Sequence, residues 1–455
     1  MIHSTRLVTR LSIRARAFGP GPIQIQVPSR QKFSPSVAYQ KGLSESKPAN
    51  EVSTQPNNLL KIINQQILAS GPISVPIWMK LCLHHPTLGY YSRTDRSNKA
   101  DPFGKHGDFI TSPEISQVFG ELIAIWLISR WQAVGCPERA RIIELGPGRG
   151  TLMADIVRTF KSIKAFNNVD FSIHFIENSP FMRDLQEQKL SPFNDLNGKV
   201  CWSDRIEEVG KVDDQWTMVI GHEFFDALPV HIFQKTPMGF REVMIDINNA
   251  DMSPTNKSLR FALAPGPTLA SKMLISDEHQ KLPVGAKLEI SPSADQIAGQ
   301  ISQLLESDAG GTGLIVDYGA DHHFAHSLRF FTCIFSISPD DGRTVLRSQV
   351  CLSLGILSTS DSRSAEPTWL DGHHGQLQTY GPITQRQFLL SMGIEVRTKR
   401  LNQSSSSTED SSQRLISPLG MGEQYKFLGF ENLPGHLSSI EAPREVYPFI
   451  TAKEP

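Results

Sequence analysis

Arg141-Ile142-Ile143-Glu144-Leu145-Gly146-Pro147-Gly148-Arg149-Gly150-Thr151 is the stretch from which the fold follows. Ile142 and Ile143 are β-branched and apolar, as expected at the end of a buried parallel strand. A turn follows, with glycine at 146, 148 and 150. Residues 151–160 then carry apolar side chains at helical spacing. Strand, glycine turn and helix form the opening unit of a nucleotide-binding α/β domain. Glycine permits the tight turn and lets a ligand approach the main chain.

The details of the turn select the ligand. A dinucleotide loop reads G-x-G-x-x-G and offers a helix N-terminus to a pyrophosphate. Here the third glycine comes one place early, Pro147 stiffens the turn, and Glu144 stands at the strand end. A carboxylate repels a pyrophosphate but suits a cationic, hydroxyl-rich ligand. S-adenosylmethionine has an amino group, a sulfonium, a ribose and no phosphate, so it is the expected ligand of Glu144, Gly146, Pro147, Gly148, Gly150 and Thr151. Residues 170–176 alternate and read as the next strand, ending at Glu177. In such folds an acid placed there takes the ribose hydroxyls.

The wider composition is globular. The 455 residues contain 39% hydrophobic residues and a net charge of −1, enough for an α/β domain with an additional module. The near-neutral balance gives no sign of a nucleic-acid partner. No apolar run is long enough to span a bilayer. The five cysteines are scattered without a C-x-x-C pair, so neither a disulfide framework nor a metal site is expected.

The N-terminus differs in character. No acidic residue occurs from Met1 to Ser44, and Arg6, Arg10 and Arg14 share a helical face with Leu7 and Leu11 nearby. This acid-free amphipathic start predicts a mitochondrial transit peptide over residues 1–45. Residues 50–135 read as a helical segment, with helices expected at 58–68, 75–83 and 116–134. His84 and His85 read as structural or surface groups. Gly107-Asp-Phe-Ile-Thr-Ser-Pro-Glu-Ile-Ser116 is unusual. Ser112 and Glu114 suit a helix start, which leaves Gly107, Asp108 and Phe109 for a wall of the active site.

Beyond Glu177, residues 218–220 read as another strand, with His222-Glu-Phe-Phe-Asp226 just past its carboxyl end, where open α/β sheets keep their chemistry. Glu223 and Asp226 flank two aromatics there. If the acceptor is an arginine, paired carboxylates hold its guanidinium fork. Residues 231–247 alternate as a β insertion, and 313–319 form a further buried strand containing Asp317.

These strings resemble the MidA-like family, the mitochondrial protein-arginine methyltransferases that act as complex I assembly factors. The resemblance rests on Leu88-Gly-Tyr-Tyr91, residues 107–117, residues 144–153, His222-Glu-Phe-Phe-Asp-Ala-Leu-Pro-Val-His231, Val316-Asp-Tyr-Gly319 and Gly381-Pro-Ile-Thr-Gln385, in family order. It implies an α/β, class I (Rossmann-like) S-adenosylmethionine-dependent methyltransferase fold with a seven-stranded sheet. It further implies symmetric dimethylation of an arginine on a core subunit of respiratory complex I, in the mitochondrion and specifically the matrix.

The pattern breaks once. Over residues 330–378 the family's loop, with a Pro-Gly and an Asp-Leu-Thr-Ala-Asp-Val-Asp-like string, has no counterpart. A lineage insertion, a retained intron or a shifted reading frame would each produce such a break. The match resumes at Tyr380. A helix is expected at 384–392, a strand at 394–399, a Ser-rich disordered stretch at 402–414 and a last antiparallel strand within 421–429, followed by a tail at 433–455.

The expectation is therefore a methyltransferase core over 136–432, preceded by the helical segment. Glu144, Gly146, Gly148, Gly150 and Glu177 would hold the donor, and Asp108, Glu223 and Asp226 would orient the acceptor. Two alternatives remain. A dinucleotide-dependent oxidoreductase is opposed by the early third glycine and Glu144. A non-catalytic complex I assembly scaffold draws its support from the broken 330–378 stretch.

Overall fold

The computed structural model describes residues 55–91, 110–193, 199–248, 258–319, 329–331, 345–347, 377–402, 408–435, 437 and 445–450. Residues 1–45, Asp108 with its neighbours 107 and 109, and nearly all of 330–378 lie outside the described residues.

In chain order the elements begin with α1 (Gln55–Ser70), β1 (Ile73–Ser74), α2 (Val75–His84), α3 (Ser112–Ile115) and α4 (Gln117–Ala133). Next come β2 (Arg139–Leu145), α5 (Thr151–Ser162), β3 (Asp170–Ile176), α6 (Pro180–Leu190), β4 (Val200–Ser203) and β5 (Trp216–His222). The insertion supplies β6 (His231–Thr236), β7 (Gly239–Ile247), β8 (Leu259–Leu263), α7 (Leu269–Leu274) and β9 (Lys287–Ile290). Then follow α8 (Pro292–Leu305), β10 (Gly311–Tyr318) and the short pair β11 (Arg329–Phe331) and β12 (Val345–Arg347). The chain closes with β13 (Gln378–Thr384), α9 (Gln385–Ser391), α10 (Ile394–Asn402), α11 (Thr408–Ile416), α12 (Met421–Gln424) and β14 (Tyr425–Asn432).

The main sheet has seven strands in the order β13-β14-β10-β5-β2-β3-β4. β10, β5, β2, β3 and β4 run parallel, and β14 pairs antiparallel with both β10 and β13. The strand order reverses between β2 and β5, so a crevice opens at the carboxyl ends of these two strands. This is the seven-stranded α/β arrangement that the resemblance implies.

Alternation along the strands feeds two apolar layers. Ile142, Met218, Ile220 and Phe427 pack with Phe119, Ile123, Trp126 and Ile156 from α4 and α5. Ile143, Val219, Ile315 and Leu428 face the other way, against Ala294, Ile301 and Leu305 of α8. Both faces of the parallel strands are thus covered, which is why they read as continuous apolar runs.

A second, five-stranded sheet comprises β1-β7-β6-β9, with β8 paired to β7. Trp78, Met79 and Leu83 of α2 pack on Ile232, Val243 and Ile245 of this sheet and on Val230 just before β6. Packing within residues 55–133 is therefore divided. The first two helices belong to the insertion sheet, whereas α4 is a layer of the main core.

The helix expected at 116–134 is α4, capped by Ser116, whose backbone is extended (φ −154°) and whose hydroxyl accepts from the Val118 N–H. Two local expectations are corrected. Residues 394–399, which alternate like a strand, are helical in α10. Ile394 and Thr398, four apart, are buried, while Val396 is 60% exposed; that is a helical period and not a strand's. Within the Ser-rich 402–414, expected to be disordered, α11 is formed from Thr408 onward. Thr398 donates its hydroxyl to Ser412 at 2.8 Å, and Leu415 is fully buried. In the tail, Val446 and Phe449 join the main core, and the Trp126 indole donates to the Tyr447 carbonyl at 3.0 Å.

Candidate active site

The glycine turn is built as its sequence requires. Gly146, Gly148 and Gly150 have φ of +60°, +52° and +76°, a left-handed region that L side chains rarely adopt. The Gly146 N–H donates to the Ile176 carbonyl at 3.1 Å, which ties the end of β2 to the end of β3. The Gly150 N–H closes the turn on the Pro147 carbonyl at 2.9 Å. The three glycines meet different surroundings. A Cβ on Gly146 would press on the Phe224 ring at 2.9 Å, and one on Gly150 would touch Gln186 of α6 at 3.4 Å. A Cβ on Gly148 would meet no described atom within 4 Å.

Gly148 borders a cavity of ≈ 380 Å³ at the crevice between β2 and β5. Glu144, Gly146, Pro147, Gly148, Thr151 and Glu177 line one part of it, and Glu223 and Asp226 line another. The structure thus brings eight of the expected site residues to one space. Gly150 stands behind the lining, against α6, and Asp108 is outside the described residues.

Glu144 lies on the central strand and is 2% exposed. Burial pushes its carboxyl up to about 8, because a low-dielectric surrounding disfavours the charged form. Its Oε2 has no hydrogen-bond partner among the described residues. A buried carboxylate oxygen left so is strongly unfavourable unless a ligand satisfies it. A ligand amino group reaching the cavity would do so and would hold the carboxylate ionised. The open space at Gly148 admits the same ligand close to the main chain. On both counts the residues fit S-adenosylmethionine.

Glu177 closes the far side of the glycine turn. Its Oε1 accepts from the Ser179 N–H at 2.8 Å and its Oε2 from Gln186 Nε2 at 3.3 Å. Burial raises its pKa, and those hydrogen bonds oppose the rise. Asp204, Arg205, Ser293 and Gln296 continue the lining beyond it.

On the other side of the cavity, β5 ends at His222 and the chain turns sharply. Glu223 takes φ +49°, one of two described non-glycine residues with positive φ. Its N–H donates to the Val316 carbonyl at 2.9 Å, and its Oε1 accepts from the Tyr425 hydroxyl at 2.7 Å. The Tyr425 hydroxyl also meets that of Tyr318, its register partner across β10 and β14. Asp317 lies beneath this turn. Its Oδ2 accepts from the N–H groups of Phe225 and Asp226 at 3.0 and 3.2 Å, and its Oδ1 from the Tyr318 N–H at 2.8 Å. Burial, then the Asp226 charge, push its carboxyl well above the usual range. Asp317 therefore holds the turn that carries Glu223 and Asp226.

Several lining residues were not among the expected site residues. His84 and Tyr91 reach the cavity from the end of α2, although His84 reads locally as a surface group. Glu114 lines it too and bonds the Thr151 hydroxyl, so the α3 turn is tied to the first residue of α5. Tyr425 and Gln186 lie far from the motifs they support, and only the folded register reveals them.

Residues 122–335 match a family model described as "Putative S-adenosyl-L-methionine-dependent methyltransferase". The chain is 35% identical over 427 residues to the mitochondrial protein arginine methyltransferase NDUFAF7 of Danio rerio, covering 88% of this chain and 92% of the relative. It is 34% identical over 402 residues to the Homo sapiens protein of the same name, covering 83% and 84%. The crystal structure of a Burkholderia thailandensis protein bound to S-adenosyl-homocysteine superposes with a TM-score of 0.63 at 22% identity, over 85% of this chain and 95% of that one, a likeness of fold.

Proposed function

This chain belongs to the S-adenosyl-L-methionine-dependent protein arginine methyltransferase family, and from that premise we propose that it symmetrically dimethylates an arginine on a core subunit of respiratory complex I. In this reading the reaction assists assembly of the complex in the mitochondrial matrix. The observation that carries the arginine assignment is the pair Glu223 and Asp226, which border the same cavity as the glycine turn. The symmetric product, the complex I subunit and the role in assembly rest on the family resemblance, and the compartment on the mitochondrial names of the relatives and the acid-free start of the chain.

When bound, the donor supplies an electrophilic methyl group on a sulfonium. The chain's own residues do the rest. Glu144, Gly146, Pro147, Gly148 and Thr151 hold the donor's amino-acid end against the turn, with Gly150 shaping that turn from behind. Glu177 takes the ribose hydroxyls. Glu223 and Asp226 hold the guanidinium, fix its plane and offset its charge, so that a nitrogen lone pair faces the methyl carbon in line. Asp108, which lies outside the described residues, would orient the acceptor with them. A carboxylate accepts the proton that the nitrogen sheds after transfer.

The test uses purified full chain, methyl-labelled S-adenosylmethionine and isolated complex I core subunits, with mass spectrometry of the modified residues. Symmetric dimethylarginine on one subunit is the expected result. Subunits that remain unlabelled although the chain binds donor would favour the non-catalytic scaffold.

A further inference from the structure

Gln186 is fully buried on α6, and its side-chain amide is engaged on every side. Its Nε2 donates to the Gly148 carbonyl at 2.7 Å and to Glu177 Oε2 at 3.3 Å. Its Oε1 accepts from the Trp202 indole N–H on β4 at 2.8 Å. The orientation of this amide is fixed by chemistry. An indole N–H can only donate, and a carbonyl and a carboxylate can only accept. The oxygen must therefore face Trp202, and the nitrogen must face Gly148 and Glu177.

We propose that Gln186 is a positioning residue of the donor site, locking the Gly148 turn to the Glu177 carboxylate so that the donor's ribose hydroxyls meet a preset acceptor. The inference rests on the reading of Glu177 as the ribose acid. Two of the three expected donor-binding elements, the glycine turn and the acid after β3, come from different strands, and this one amide joins them. Gly150 is required by its φ of +76°, and an added Cβ there would make only ordinary van der Waals contact with Gln186, at 3.4 Å.

The lock acts through Glu177, so its removal has a signature that general loosening lacks. A carboxylate held by a buried amide pays less ordering entropy when it receives ligand hydroxyls. Gln186→Met keeps the volume and removes both donated hydrogen bonds. Gln186→Glu keeps the acceptor for Trp202 but sets a second carboxylate against Gly148 and Glu177.

Binding of S-adenosylhomocysteine to the full chain is measured by calorimetry, beside an analogue lacking both ribose hydroxyls, with thermal melting as the fold control. The parent is expected to prefer the hydroxylated ligand by about tenfold or more, as hydrogen bonds to a charged group imply. Gln186→Met should lose most of that preference while binding the deoxygenated analogue nearly as before, and Gln186→Glu should lose more. A folded Gln186→Met protein that keeps the parental preference overturns the inference. If that variant does not fold, Gln186→Glu decides. It keeps an acceptor for Trp202 but loses both donated hydrogen bonds, and an undiminished preference there overturns the inference equally. Glu177→Ala separates the two readings. Collapse of the preference in Glu177→Ala but not in Gln186→Met leaves the ribose acid standing and removes the lock. An unchanged preference in Glu177→Ala removes both.

Discussion

The Tyr425 hydroxyl donates a 2.7 Å hydrogen bond to Oε1 of Glu223, joining the first residue of β14 to the residue just past β5. The carboxylate it holds sits on a left-handed backbone, φ +49°, which L residues adopt only at a conformational penalty. The surroundings over-determine that conformation. The Val316 carbonyl accepts the Glu223 N–H, and Asp317 accepts the N–H groups of Phe225 and Asp226. An acid is thus held rigidly at the mouth of the parallel strands, as the proposed guanidinium capture requires.

Glu223→Gln should lose methyl transfer and keep donor affinity. The amide preserves shape and the Tyr425 hydrogen bond but not the charge. Charge-assisted hydrogen bonds contribute about 1.5–3 kcal/mol each, so a drop of about tenfold to a hundredfold in single-turnover rate is expected. Calorimetry with donor and single-turnover transfer, run in parallel, check this. An exposed structural acid would instead leave the rate within about a factor of two.

Gly148→Val should abolish donor binding with the fold retained. An added Cβ meets no described atom within 4 Å, so the side chain starts in the open space of the cavity. The positive φ at this position adds a destabilisation of about 1–2 kcal/mol. Donor affinity by calorimetry and the thermal midpoint are the readouts, and unchanged affinity would contradict the placement of the turn.

Glu144 links donor binding to protons. Its folded pKa is about 8 against an ordinary value of 4.5. Raised in the fold, this carboxyl makes the ligand-less protein lose stability as pH rises from about 4.5 to about 8, by a few kcal/mol at most. A cationic donor favours the ionised form, so binding near neutral pH should release a proton and tighten as pH rises toward 8. Calorimetry in buffers of different ionisation enthalpy detects the release. Glu144→Gln should remove both the proton release and this component of the pH-dependence of stability. Proton-neutral binding by the parent near pH 7 would argue against an amino group at Glu144.

Asp317→Ala should act on stability first. Three backbone N–H groups, those of Phe225, Asp226 and Tyr318, would lose their acceptor. Each buried donor left unpaired costs about 1–3 kcal/mol, so a loss of roughly 3 kcal/mol or more in chemical denaturation is expected. A loss below about 1 kcal/mol would show that the turn does not depend on this carboxylate.

Features carried by local chemistry were legible before folding. Glycines needing positive φ, an acid at a strand end and an apolar run between polar flanks each announce their geometry. Glu144, Gly148, Glu177, Glu223 and Asp226 were visible for that reason. What escaped depends on partners distant in sequence. Gln186 sits on an ordinary amphipathic helix, and nothing local says that it will meet Gly148 and Trp202. Tyr425 opens a strand whose register with β10 places it beside Tyr318 and Glu223. Residues 394–399 misled because Ile394 and Val396 alternate like a strand, whereas packing selects Ile394 and Thr398. Composition misled at α11, where Ser412 and Leu415 gain their order from α10 and the core.

The central claim, that this cavity transfers methyl groups to arginine, is tested most directly by a single-turnover reaction of the full chain with methyl-labelled S-adenosylmethionine and complex I core subunits. The account predicts label recovered as symmetric dimethylarginine on one subunit, lost in Glu223→Gln at undiminished donor affinity. Label on a residue other than arginine, or equal labelling by the parent and Glu223→Gln, would contradict it.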